Sequence, residues 1–139
     1  MQDCGKLFWS PEGSGLYAVG GAAAFEKIGR LAVSSGLKYI YIDLATVKDK
    51  QAFLKILAER LAFPAHFGMN WDALKDSLTD MRPAGGWVIA FDNVKGFAKA
   101  DPAGMDTARE IFEYAAGYWR KQVVSFYLLT KFESAMTHP

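Results

Sequence analysis

The sequence predicts an α/β fold: a small parallel sheet of about four strands, in the order 1-2-3-4, packed with helices. Three observations predict it. Short aliphatic and aromatic runs alternate with segments of helical periodicity, in the order β-α-β-α-α-β-α-β. The strand-like runs are too continuously apolar for a sheet with one wet face, which argues for a parallel sheet covered by helices. Sequential right-handed crossovers then give 1-2-3-4 as the simplest order.

Each element has its own signal. Leu16-Tyr17-Ala18-Val19 is a short apolar strand closed by Gly20-Gly21. Residues 22–36 place Phe25, Ile28 and Ala32 at helical spacing, with Gly36 as the stop. YIYIDL (39–44) is β-branched and aromatic, as a buried strand requires. From Asp49, the residues Phe53, Leu57 and Leu61 repeat every four positions, and Pro64 ends that helix. Gly68 is a break and Asn70 an N-cap, and a helix of about three turns follows to Met81. Residues 82–86 read as a loop, WVIAF (87–91) as a strand and NVKGFAKAD (93–101) as a long polar connection. Asp101-Pro102 has the cap-then-proline form of a helix start, and that helix runs to about Lys121. VVSFYLL (123–129) is the last strand, and the tail from Lys131 reads as frayed. Without a repeat or linker, one domain over residues 1–139 is expected.

Composition narrows the function classes. The 139 residues suffice for one domain that buries roughly 68–70% of its unfolded surface. Sixteen basic side chains meet fifteen acidic ones, so no global field favours nucleic acid or an anionic membrane. Electrostatic recognition must come from a local patch. Cys4 is the only cysteine, which excludes an internal disulfide and a multi-thiol metal site. The first residues lack the basic-then-apolar order of a secretory signal, and no apolar run approaches the ~20 residues of a spanning helix. A cytoplasmic protein, monomeric when free, is the expectation.

The local patch is in FPAHFGMNWDALKDSL (63–78). On a helical wheel Leu78 and Met81 lie within about 40° of Leu74, and Trp71 within about 60°, which makes the buried stripe. Asp72 and Asp76 fall about 160° and 200° from Leu74, and Asp80 near 240°, all on the outer side. The helix dipole favours Asp72, in the first turn. Asp76 and Asp80 each sit four residues after another aspartate, where like charges repel by ~0.2–0.5 kcal/mol per pair. Lys75 relieves part of this. A solvated polar face is the plain explanation. Paired carboxylates could also serve a hydrolase, but they lie on a convex helix without an evident cleft. A hard-metal site would need further oxygen ligands. An exposed acidic helix can instead imitate a phosphate chain and fill a basic pocket on another protein. Nearby His66, Phe67, Met69 and Trp71 favour this last option, since aromatics and methionine are enriched at interface cores.

The same stretch carries a resemblance. Residues 37 to 93, with the closing helix and strand, resemble the barstar family, intracellular protein inhibitors of barnase-type ribonucleases. Gly68, Asn70, Asp72, Ala73, Leu74, Asp76, Leu78 and Thr79 match in register without a gap, and WVIAF corresponds to the family's next strand. The resemblance implies a barstar-like core over 37–130, an added strand and helix within 1–36, and a tail over 131–139. It implies that the acidic helix and the loop before it plug a ribonuclease active site. Asp76 would then be the phosphate mimic, with Asp72 and Asn70 as neighbouring contacts. The implied binding set is His66, Phe67, Gly68, Met69, Asn70, Trp71, Asp72, Lys75, Asp76, Thr79 and Asp80, on a non-catalytic protein with no cofactor and no metal. The implied partner is a basic ribonuclease, such as a toxin to which this chain would give immunity. The chain departs from the pattern at particular points. His66 and Phe67 replace two loop tyrosines, Lys75 replaces an aromatic, Asp80 a glycine and Met81 a tryptophan. Tyr114 stands where the family has a contact glutamate, with Glu113 adjacent.

Other features carry less. AVGGAAAF follows a strand and opens a helix, but has neither G-x-G-x-x-G nor G-K-[ST], so a tight turn is the reading. His66 has no partner at catalytic spacing, and His138 is in the tail. The aromatics and cations of YAAGYWRK (114–121) fit core plus solvated edge better than base stacking. The added strand is expected at the sheet edge beside strand 39–44.

Overall fold

The computed structural model describes residues 9–20, 24–81 and 85–131. A turn of 3-10 helix at Pro11–Gly13 leads into β1 (Gly15–Val19), α1 (Ala24–Ser34) and β2 (Lys38–Asp43). Then come α2 (Lys50–Arg60), α3 (Trp71–Asp80), β3 (Trp87–Asp92), α4 (Lys95–Ala100), α5 (Pro102–Lys121) and β4 (Phe126–Lys131). Asp49, Asn70 and Asp101 cap α2, α3 and α5, each side chain accepting a backbone N–H three residues on. Among the described residues no helix is long and apolar enough to cross a membrane. The start of the first predicted helix, most of the loop at 82–86 and the tail lie outside the described residues.

All four strands are parallel, as expected, but their order is β1-β4-β3-β2 rather than 1-2-3-4. The added strand accordingly lies at the edge beside β4, not beside β2. Crossover handedness explains the correction. From β1 the chain crosses the whole sheet to β2, then walks back through β3 to β4. Right-handed connections run in opposite directions must lie on opposite faces. Trp87, Ile89 and Phe91 of β3 and Phe126 and Leu128 of β4 pack with the helices from α2 to α5. Val88 and Ala90, with Tyr127 and Leu129, pack instead with Phe25, Ile28 and Ala32 of α1. An order of 1-2-3-4 would put every helix on one face and leave Val88 and Leu129 in water. Gly29 lets α1 approach the sheet, since a Cβ there would stand 2.7 Å from the Tyr39 ring.

The segment before β1 is laced to β4, to Ser125 just before it and to the end of α5. The Tyr127 hydroxyl donates to the Ser10 carbonyl at 2.8 Å, and Arg120 Nη2 donates to the Ser14 carbonyl at 2.6 Å. Ser14 Oγ accepts from Phe126 N at 2.9 Å, and Ser125 Oγ donates to the Trp9 carbonyl.

Two boundaries also differ from expectation. The polar connection at 93–101 contains α4, anchored by buried Phe97, whose ring stacks on Phe53 at 4.8 Å. The last strand begins at Phe126, because Val123 and Val124 close α5: Val123 has φ 60° and Val124 N donates to the Trp119 carbonyl at 2.9 Å.

Candidate functional site

Helix α3 is seated by its apolar stripe. Leu74 and Leu78 are fully buried, and Trp71, half-buried, tilts against Phe53 with ring centroids 6.0 Å apart. From α5 the buried indole of Trp119 donates Nε1–H to the Leu78 carbonyl at 2.8 Å, satisfying an acceptor near the helix's C-terminal end. The opposite side of the helix is fixed in orientation as a result.

That side carries Asp72, Asp76 and Asp80, all exposed, as the helical wheel requires. Among the described residues no side chain or backbone N–H bonds to their carboxylates, and the ion pairs, Arg30–Glu26 within α1 and Arg109–Glu113 within α5, involve none of them. The nearby cations are held elsewhere. Lys50 Nζ lies 6.0 Å from the centre of the Trp71 ring, and Lys75 Nζ lies 4.1 Å from that of Tyr114. Asp80 is the last residue of α3, where the helix dipole disfavours negative charge. Two i,i+4 repulsions and this terminal charge together destabilise the helix by roughly 1–2 kcal/mol, partly offset by Asp72 at the other end.

The loop before α3 is stiffly built. Leu61 ends α2, Ala62 turns with φ 56°, and Phe63 N donates to the Ala58 carbonyl at 3.0 Å. Met69, also left-handed at φ 55°, brings the chain into α3. Left-handed backbone costs ~1–2 kcal/mol in a residue with a Cβ, so the packing must hold it. The Phe63 and Phe67 rings, 4.9 Å apart, supply part of that packing. Asn70 closes the loop: Oδ1 accepts from Ala73 N at 2.7 Å while Nδ2 donates to the Gly68 carbonyl at 3.2 Å. A Cβ on Gly68 would stand 3.2 Å from that amide, so glycine allows the closure.

Loop and helix enclose an open groove of about 780 Å³. Leu61, Phe63, Phe67, Met81 and Tyr118 give it apolar surface, and Asp76, Asp80 and His66 line it with polar groups. Among the described residues, none before Leu61 lines it. The structure therefore regroups the expected residues. His66, Phe67, Gly68, Asp76, Thr79 and Asp80 share the groove, while Asp72, Lys75, Met69 and Trp71 do not line it. Met69 and Trp71 are turned toward the core, and Asn70 is engaged in holding the loop. Thr79 Oγ1 bonds back to the Lys75 carbonyl at 3.0 Å. Phe63, Ser77, Met81 and Tyr118 are groove residues that the sequence reading left out. Tyr118 comes from α5, which packs on α3, a neighbourhood that spacing within α3 does not reveal. Glu113, next to the family's contact position, is occupied by Arg109 at 3.4 Å.

A second group of acids lies at the carboxyl ends of β2 and β3. Asp43 Oδ1 accepts from Ala45 N at 2.9 Å and from Asn93 Nδ2 at 2.7 Å. Asp92 accepts from Asn93 N at 2.9 Å and from the Tyr41 hydroxyl at 2.5 Å. The hydrogen bond to Asp92, then partial burial, pushes the Tyr41 phenol up to about 12. Burial first, then the Asp92 charge, puts Tyr39 at about 12 as well. Among the described residues no three His, Cys, Asp or Glu side chains come together as metal ligands would.

Comparison with known proteins settles the family. Residues 37–131 match the family model Barstar (barnase inhibitor). The chain belongs to this family. The match starts at the turn before β2 and ends with β4, so β1 and α1 precede it. Among curated proteins none matches the chain. Solved structures share the fold at low identity. The Aeropyrum pernix ORC2 protein aligns at TM-score 0.56 and 12% identity, covering 88% of this chain and 36% of its own. Cdc6p from Pyrobaculum aerophilum aligns at TM-score 0.57 and 14% identity, covering 90% and 34%. A chain of Drosophila ORC bound to AT-rich DNA and Cdc6 aligns at 0.51 and 10%, covering 90% and 43%. The chain thus spans about a third to two fifths of the length of each, and the likeness is one of fold.

Proposed function

We propose that this barstar-family chain is a protein inhibitor of a ribonuclease, docking loop 63–70 and α3 into the enzyme's basic active site. One observation carries the reading: among the described residues three exposed carboxylates stand in a row without a cation or donor of their own, and two of them, Asp76 and Asp80, border a groove with aromatic walls. The row disfavours its own helix, and a cationic partner would reverse the sign of that energy. Asp76, which both lines the groove and stands mid-row, is the phosphate mimic, and Asp80 extends the row toward Met81. Asn70 acts through the loop that it locks. In this reading the chain works in the cytoplasm, without catalysis or a cofactor of its own, and protects its host from a toxin ribonuclease.

The experiment is an inhibition assay with purified barnase and with basic ribonucleases captured from the host on the immobilised chain. The expected result is stoichiometric loss of ribonuclease activity. Capture of a partner without ribonuclease activity would instead support a second reading, a family member that kept the fold for another protein. Lys75 and Tyr114, which give the rim a cation and an uncharged ring, favour that alternative.

A further inference from the structure

We propose that the corner where α3 meets α5 is an anion-accepting part of the binding surface, with Lys75 and Tyr114 together taking a carboxylate of the partner protein. This rests on α3 being a docking face, and it makes that face bipolar. The partner would present an acidic side chain beside the cations that meet Asp76 and Asp80.

Lys75 follows Asp72 by three residues, a spacing that suits an ion pair, yet its ammonium stands 4.1 Å from the Tyr114 ring centre instead. The ring's π face attracts the cation from one side and leaves N–H donors on the other. Tyr114 is 51% exposed, although the described large apolar side chains are mostly buried. Its hydroxyl bonds to no group among the described residues. An ammonium and a phenol held together are two donors for one carboxylate, the charge-assisted kind of hydrogen bond. Acids near this corner do not neutralise it. Glu113 is tied to Arg109, and Glu110, one turn before Tyr114, forms no ion pair with Lys75.

The test is an amide NMR titration of the full chain with two capped peptides, tetraglutamate and tetra-arginine. Tetraglutamate is expected to move the Lys75 and Tyr114 signals saturably, and tetra-arginine those of Asp76 and Asp80. Lys75→Gln should weaken tetraglutamate binding roughly tenfold, as loss of a charge-assisted bond implies. Tyr114→Phe keeps the ring and should lose a few-fold for the missing hydroxyl. Tetraglutamate shifts spread evenly over the other lysines, or unchanged by Lys75→Gln, would overturn the corner. If tetra-arginine ignores the ridge while tetraglutamate binds the corner, the ribonuclease reading falls and the corner stands.

Discussion

The two acidic groups of the molecule are built in opposite ways. At the carboxyl ends of β2 and β3, Asp43 and Asp92 are saturated with internal donors: two backbone N–H groups, the Asn93 amide and the Tyr41 hydroxyl. Along α3, three aspartates have none of these, and the neighbouring lysines rest on aromatic rings. Carboxylates that fasten strand ends together serve the fold. Carboxylates that repel one another on an exposed ridge are available to something else. Chemistry at the level of residue type does not separate the two groups, but hydrogen-bond occupancy does.

Substitutions should divide along that line. The largest effect is expected for Asp76→Ala, which should weaken binding to the captured ribonuclease by ~2–5 kcal/mol, mainly through faster dissociation. That is the general range for truncating one partner of a buried, hydrogen-bonded charge pair. Its melting temperature should be unchanged or slightly higher. Paired binding kinetics and melting curves check this, and intact affinity with a lower melting temperature would place the ridge in the fold after all.

Asp43→Ala should do the reverse. Losing the acceptor for Ala45 N and Asn93 Nδ2 should lower stability by ~1–2 kcal/mol in urea unfolding and leave the dissociation rate unchanged. A smaller effect of opposite sign is expected for Asp80→Lys, which converts an i,i+4 repulsion into an attraction and suits the helix dipole. A gain of ~0.5–1 kcal/mol would show in the same unfolding curves, and a loss would mean that Asp80 has a hidden stabilising partner.

The smallest effect concerns pH. Tyr41 is raised from 10.0 to about 12 by its bond to Asp92. A phenol that holds its proton more tightly when folded contributes stability that is complete below pH 10 and is lost as pH rises through about 12. The group is partly exposed, so screening keeps the contribution small. Phenolate absorbance should show late titration near 12 from both Tyr39 and Tyr41; Tyr41→Phe should remove one of the two phenols and leave Tyr39, and Asp92→Asn should move the Tyr41 step toward 10. A Tyr41 step already near 10 in the unaltered chain would remove the hydrogen bond from the comparison.

Much of the architecture was readable in the chain because its signals are local. Helix α3 shows this best: Asn70, the Trp71/Leu74/Leu78 stripe and the outward aspartates follow from capping and a 3.6-residue period alone. Where the reading failed, a local signal was missing or misleading. Helix α4 has six residues and one buried anchor, Phe97, too short for any period to register. The end of α1 is marked by Gly36 at φ 88°, with Leu37 N bonded to the Ala32 carbonyl. Helices α2 and α5 end with the same six-to-one bond, but with Ala62 and Val123 in the left-handed position, so the glycine cue was absent. A β-branched valine there read as the start of a strand.

Strand order was misjudged for a different kind of reason. Val88, Ala90 and Leu129 already indicated a sheet covered on both faces, and right-handed crossovers in the order 1-2-3-4 cover only one. Joining those two constraints requires the chain to reverse direction once, which places β1 beside β4.

What the sequence by itself determined was therefore where most helices and strands lie, which of their faces are apolar, and that three like charges repel one another along the outer side of α3. Each of these depends on residues within a few positions of one another. Only the tertiary structure decided that α5 brings Tyr114 under Lys75 and Tyr118 into the groove, and that Asp76 and Asp80, not Asp72, border it. Only it showed that Asp43 and Asp92 are already spoken for by Asn93 and Tyr41. Those facts depend on side chains about 40 to 50 residues apart in the chain meeting across packed elements, which no local periodicity encodes.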